Sequence, residues 1–360
     1  MEDFPAQVIV ISSVGVHLPV ILPTPLRRIS SGGRVNILVT GGAGYIGSRL
    51  LHTLASVESL DIRRVRVLDN MREEKFPSLM NLPPGVDYEF VLGDIRNEDD
   101  VEAAIGDDTD VVVHLAALCN ATISFERRDA TEEINYGGTV NVVAAARRAP
   151  SVRRFIYAST TSVYGPTSGI VDEESACLPA SPYAEFKLKG EQDVLGLSTD
   201  TDGRLRPTVL RFATVYGYAP GLRVHTVVNI FAFRAAVGAP MEVFGSGNQL
   251  RPFVHVNDVS RAIAFCIEDD RTGEKIFNVV GENASVNQVT ELLRHHFPRL
   301  RIVQADKEIL NQISYEVSGS KLENLGFTMR YTLQDGVEEY ARLYGSFARL
   351  PLPSGSAAMT

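Results

Sequence analysis

The chain has 360 residues, 44% of them hydrophobic, which suits about two domains or one large α/β unit with a sizeable core. Thirty-five Lys and Arg against 44 Asp and Glu leave a net charge of −9, which argues against a general nucleic-acid binder, because such a protein needs a basic surface to displace counterions. Cys119, Cys177 and Cys266 are widely spaced, with no CxxC or Cys/His pattern; this is neither a disulfide scaffold nor a zinc module, no metal is expected, and reduced thiols in a cytoplasmic protein are the simplest reading.

Residues 1–34 read as an extension outside the fold. Phe4 to Leu26 carries no Asp, Glu, Lys or Arg, as a membrane segment would. Pro5, Pro19, Pro23 and Pro25 interrupt it, however, and leave no run near the roughly 20 residues that a spanning helix needs. Its flank, Glu2-Asp3, is acidic rather than basic as in a secretory signal. No membrane partner is expected.

From Val35 the pattern becomes regular. Val35–Val39 is a short apolar run of the kind that forms a buried parallel strand, and a glycine-rich turn and a helix from about Ile46 to Val57 follow it. Further strands are expected at Val65–Leu68, Tyr88–Leu92, Val111–Leu115, Arg154–Ala158 and Thr208–Arg211. Helices are expected at Asp99–Ile105, Thr139–Arg148 and Tyr183–Leu195, forming one flank of the sheet. Such alternation implies right-handed βαβ units and a doubly wound, Rossmann-type parallel sheet. After about Ala219 the alternation loosens: Val227–Val237 and Asp258–Ile267 read as helices, Met241–Phe244 as a strand. An amphipathic helix from Asn287 and a last one near Leu333–Tyr344 follow. The domain expectation is a dinucleotide-binding unit over 35–220, a mainly substrate-binding lobe over 221–345 and a tail over 346–360.

Thr40–Gly47 reads TGGAGYIG, with Gly41, Gly44 and Gly47 three apart between strand and helix. Glycines there allow a tight turn and close approach of backbone to a pyrophosphate, which the helix N-terminus favours. Asp69 ends the second strand about 20 residues on, where a carboxylate accepts the ribose hydroxyls of NAD and repels the 2′-phosphate of NADP. Asp94 after the third strand either meets the adenine or caps the next helix. His114-Leu115-Ala116-Ala117 ends the fourth strand with small residues that let a cofactor lie on the backbone, while His114 itself reads as a core histidine.

Tyr183-Ala-Glu-Phe-Lys187 places a phenol and an ammonium four apart on one helix face. The ammonium is expected to lower the phenol's pKa and make Tyr183 a general base. The preceding strand ends in hydroxyls, Tyr157-Ala-Ser-Thr-Thr-Ser-Val-Tyr-Gly165.

In order, TGGAGYIG, Asp69, Gly93-Asp94-Ile95, HLAA, ASTTSVYG, YAEFK, RFATVYG and RPFVHVNDV resemble the extended short-chain dehydrogenase/reductases, and within them the nucleotide-sugar epimerase/dehydratase family, over about Val35 to Tyr344. The resemblance implies roles. Thr160 is the hydroxyl on the reacting sugar, Tyr183 the base, and Lys187 the lysine on the nicotinamide ribose. The cofactor set adds Tyr45, Ile46, Asn70, Ile95, Leu115, Ala116, Ala117 and Asn135. Cys119, Ser124, Thr161, Thr214, Asn229 and Arg251 face the nucleotide-diphosphate sugar, with Arg251 on the diphosphate. Tyr315–Lys321 resembles the segment that closes over the nucleotide, and Asp258 caps a helix. A homodimer is the family expectation.

In that family, dehydratases carry Asp-Glu after the catalytic threonine, and decarboxylases keep the glutamate. Here the positions are Thr161 and Ser162. That points to reversible hydride exchange, hence an epimerase, with a reductase or oxidase on the same scaffold as the alternative. A non-catalytic NAD-binding regulator fits less well, since Tyr183 and Lys187 are both present.

Overall fold

A computed structural model describes residues 34–298, 300–305 and 314–346. The expectations for the N-terminal extension and the tail therefore fall almost wholly outside the described residues. The central predicted runs form strands because they are buried on both faces, as in Val111–His114, where every residue is buried, whereas the edge strand Asp87–Leu92 has no fully buried residue. Seven strands make one sheet in the order Lys275–Val279, Arg206–Phe212, Arg154–Thr160, Val111–His114, Val35–Thr40, Ile62–Asp69, Asp87–Leu92. All neighbours run parallel. The first strand lies between the second and the fourth, so the winding reverses there and opens a crevice beyond the strand ends.

Helices Glu98–Ile105, Gly138–Arg148 and Pro182–Asp200 share one apolar core with one face of the sheet, as expected. Helices Tyr45–Leu54 and Val256–Glu268 cover the other face. A third core gathers Val227–Val237, Val286–His296 and Leu333–Tyr344 around short strands Pro240–Phe244 and Leu250–His255. The chain thus returns to the main sheet late, through Val256–Glu268 and the seventh strand Lys275–Val279. That strand and Leu250–His255 are not in the predicted set. Lys275–Val279 is set as a strand by its parallel pairing with the distant Arg206–Phe212, which no local pattern announces.

The long helix is well specified locally. Ser181 caps it by accepting from Ala184 N at 3.3 Å, and Pro182 opens the first turn. It sits unusually close to the sheet at Gly190: a Cβ there would stand 2.4 Å from the Tyr157 hydroxyl and 3.0 Å from its Cζ. Gly190→Ala is therefore expected to cost about 1–3 kcal/mol through overpacking, measured as a lower urea midpoint at unchanged slope.

Candidate active site

The crevice begins at the glycine turn. Gly41 takes φ +70°, donates to Leu68 O at 2.8 Å, and lies so near the fourth strand's exit that a Cβ would meet Ala116 N and Cα at 2.7 Å. Gly44 is the N-cap of Tyr45–Leu54, with no side chain capping that helix. Its first N–H groups are thus left for a ligand, and the first turn carries no acidic residue to compete. Asp69 is fixed beside the turn: its carboxylate accepts from Ala43 N at 3.0 Å and from Met71 N at 2.9 Å, which leaves lone pairs for ribose hydroxyls.

Asp94 bonds Asn70 Nδ2 and Arg96, each at 2.9 Å. The Arg96 contact, ahead of the Asn70 bond, holds its carboxyl down to about 2. It does not cap the next helix; Asn97 does, by accepting from Asp99 N. Ile95 is buried beneath. Asn135 is buried in a π-helical turn, Glu133–Gly137, and clamps the loop after Ala116-Ala117: its Oδ1 accepts from Leu118 N at 2.7 Å and its Nδ2 donates to Leu118 O at 3.0 Å. His114 is the expected core histidine. Both ring nitrogens meet hydroxyls, Thr40 at 2.7 Å and Thr139 at 3.0 Å, and burial, aided by the Lys187 charge, holds it neutral down to about 3.

At the opposite wall, Thr160, Tyr183 and Lys187 come together. Thr160 Oγ1 accepts from Ser162 N at 3.1 Å, and Thr160 lies close enough to the Tyr183 hydroxyl to favour its ionisation. Lys187 is 2% exposed; its Nζ donates to Ala158 O at 2.8 Å and lies 4.7 Å from the Tyr157 ring centre. One sequence expectation is corrected here. Burial raises the Tyr183 phenol above its ordinary range rather than letting a neighbour lower it, and the charge that favours its ionisation is that of Arg223. Lys187 is turned to a backbone carbonyl instead. Burial brings its own pKa down to about 8, so its ammonium is complete well below pH 8 and lost as pH rises through that value.

The predicted substrate residues divide. Ser124 is buried and accepts from Tyr183 N at 3.2 Å, so it seats the start of the long helix. Cys119 is exposed, and its thiol is near enough to act on both Tyr183 and Lys187. Thr161 lies beside Tyr315, over whose ring the Arg251 guanidinium lies at 5.7 Å. Thr214 pairs with Phe253 in the second lobe. Asn229 is already committed: Oδ1 accepts from Gly217 N at 3.2 Å, while Nδ2 donates to Arg223 O at 2.7 Å and to the Tyr45 hydroxyl at 3.3 Å. Tyr45 in turn donates to Gly217 O at 2.6 Å, Gly221 N donates to Ser48 at 2.9 Å, and Arg49 donates to Tyr218 O at 2.8 Å. Ile46 packs into the core beside them. Asp258 is a second correction. His255 caps that helix, and Asp258, fully buried, accepts from Arg330 N and Tyr331 N at 3.0 and 2.9 Å.

Three residues near the site escape sequence reasoning. Arg223 donates to the Cys119 carbonyl, a contact between residues far apart in the chain that no local pattern announces. Glu191 and Arg211 left a faint signal, a carboxylate four residues after Lys187 and an arginine inside an apolar strand.

A glycine turn at a topological switch point, a carboxylate at the second strand end and a Thr-Tyr-Lys group across the crevice define a dinucleotide-binding enzyme of the extended short-chain dehydrogenase/reductase type. The profile of the NAD dependent epimerase/dehydratase family matches residues 37–280, and the chain belongs to that family. A dTDP-glucose 4,6-dehydratase of Streptomyces niveus is 30% identical over 322 residues, covering 86% of this chain and 93% of its own length. Among solved structures, Thermus thermophilus UDP-glucose 4-epimerase in complex with NAD superposes with a TM-score of 0.76 at 28% identity, over 86% of this chain and 99% of that one. Bacillus cereus UDP-glucuronic acid 4-epimerase with UDP-glucuronic acid and NAD gives 0.78 at 26% identity, over 87% and 99%. Among the described residues no helix is long and apolar enough to cross a membrane, and no cluster of side chains could hold a metal.

The cradle at Gly41 fits a dinucleotide only while it lacks a side chain. Gly41→Ala is expected to weaken NAD binding at least tenfold, by calorimetry on protein freed of nucleotide. Asn135→Ala strands the amide and carbonyl of Leu118, and should lower stability by about 2–4 kcal/mol, read by chemical denaturation.

Proposed function

We propose that the protein is an NAD-dependent epimerase of a nucleotide-diphosphate sugar, acting at the 4-hydroxyl through a transient keto sugar. The observation that carries this is the Thr160–Tyr183–Lys187 group with Thr161 and Ser162, not carboxylates, at the two following positions. Elimination of water from a sugar needs a further acid and base; reversible oxidation does not.

Gly41, the open N-terminus at Gly44–Gly47, Asp69 and Asn70 would hold the adenosine and pyrophosphate, with Asp94 and Ile95 at the adenine. Leu115–Ala117, fixed by Asn135, would line the path to Lys187 at the nicotinamide ribose. Bound NAD supplies a reversible hydride acceptor. Thr160 orients the sugar hydroxyl and Tyr183 takes its proton. A phenol held above its ordinary range is a weak acid and, once ionised beside Arg223, a strong base. When the keto sugar has turned, its carbonyl carbon would take the hydride back on the other face while the same phenol returns the proton to the oxygen, which leaves that carbon inverted. Arg251 and Asn229 sit on the lobe that would bind the nucleotide, Arg251 through its guanidinium and Asn229 by shaping the 217–223 loop.

Tyr183→Phe is expected to cut turnover roughly 10²–10⁴-fold while NAD binding stays within about twofold. The decisive measurement is mass analysis of nucleotide released on denaturation, followed by NMR of the product from a supplied UDP-sugar. Stoichiometric NAD and an inverted carbon support epimerisation. A 4-keto-6-deoxy product would establish a dehydratase, and net consumption of added NAD a reductase or oxidase.

A further inference from the structure

Below the reaction centre lies a buried pair of charges that the steps above do not use. Tyr183, Lys187 and Glu191 follow one another at four-residue intervals along one face of the Pro182–Asp200 helix. Glu191 is 1% exposed, and both its oxygens are held by Arg211, from Nε at 3.0 and 3.2 Å and from the terminal nitrogen at 2.7 Å. Ser159 also donates to it. Arg211 in turn donates to the Tyr164 hydroxyl at 3.1 Å, which donates to Asn278 Oδ1 at 2.8 Å. Ser159 stands between Ala158, whose carbonyl receives the Lys187 ammonium, and Thr160, which neighbours the Tyr183 hydroxyl.

Well-packed apolar residues often serve stability as well as a buried ion pair does, so stability is a weak reason for this one. We infer that Glu191, braced by Arg211, is a positioning residue: it locks the Ser159–Thr160 strand end to the long helix and keeps Lys187 charged. The inference deepens the proposed reaction and rests on it only for the use made of the lysine.

The groups facing Lys187 bear this out. On its own helix are Tyr183 and Glu191; on the fifth strand the neutral Tyr157 ring; on the fourth strand His114, held neutral; on the following loop the Cys119 thiol; on the sixth strand Arg211, engaged with Glu191. Burial is the largest influence and disfavours the ammonium, while Cys119 and Glu191 favour it. Removing the Glu191 charge must then move loss of the ammonium to lower pH.

The test is an NMR titration of the full chain labelled with ¹³C at lysine Cε, with the Lys187 signal identified by its loss in Lys187→Arg. Glu191→Gln is expected to move the Lys187 midpoint down by about one pH unit, whereas Glu191→Asp, which keeps the charge, leaves it in place. Since Glu191→Gln strands a buried guanidinium, the double variant Glu191→Gln with Arg211→Met provides the comparison in a chain without that defect, with a smaller downward shift expected because the Arg211 cation leaves with its partner. An unmoved midpoint in the folded variants overturns the inference. The alkaline limb of turnover on a UDP-sugar is read alongside. A limb that follows the midpoint supports both readings. A moved midpoint with a fixed limb supports the link to Glu191 and counts against the proposed use of Lys187.

Discussion

The contact of two backbones at Gly41 and Ala116 governs the rest of the site. It arises where the winding of the sheet reverses, so the ends of the first and fourth strands must lie side by side. Close approach there shapes the crevice floor, and the neighbouring groups maintain it. Asp69 ties the turn to the second strand through Ala43 N. Asn135 fixes the fourth strand's exit through both polar groups of Leu118. His114, bonded to Thr40 and Thr139, joins the first strand to the helix beside the fourth without bringing in a charge. Each of these bonds is a long-range contact between segments that the topology has already made neighbours.

The opposite wall obeys a different constraint, the cost of burying ionisable groups. Lys187, Glu191 and Arg211 are almost inaccessible, and Tyr183 is half-buried. In such surroundings each charge persists only with a partner, and each neutral acid resists ionising. The carboxylate–guanidinium pair meets that requirement for Glu191 and Arg211. Lys187 meets it with a carbonyl and the Tyr157 ring. Tyr183 stays protonated beside Thr160.

Much of the architecture was legible because its signals are local. The apolar runs, the TGGAGYIG turn, the Asp69 strand end and the Tyr183–Lys187 spacing each report on a few adjacent residues. What escaped depends on distant ones. Lys275–Val279 is a strand because Arg206–Phe212 offers it a free edge. The direction of the Tyr183 shift follows from burial, which spacing on one helix does not reveal. Asn229, assigned to substrate by resemblance, is bonded to Tyr45, Gly217 and Arg223, and Asp258 anchors Arg330 and Tyr331 rather than capping its helix. Arg223 reaches the centre from another lobe.

The bonds among Tyr45, Ser48, Arg49, Gly217, Tyr218, Gly221 and Asn229 have a mechanical meaning. They stitch the first turns of the cofactor-side helix to the segment that leads into the second lobe, and most of them are out of water. That seam is the spine of a book whose pages are the two walls of the crevice. Widening at the spine breaks several buried hydrogen bonds together, whereas widening at the far margin leaves them intact. The two walls therefore part most easily at the margin and least easily at the spine, which makes the seam the fixed edge of the crevice.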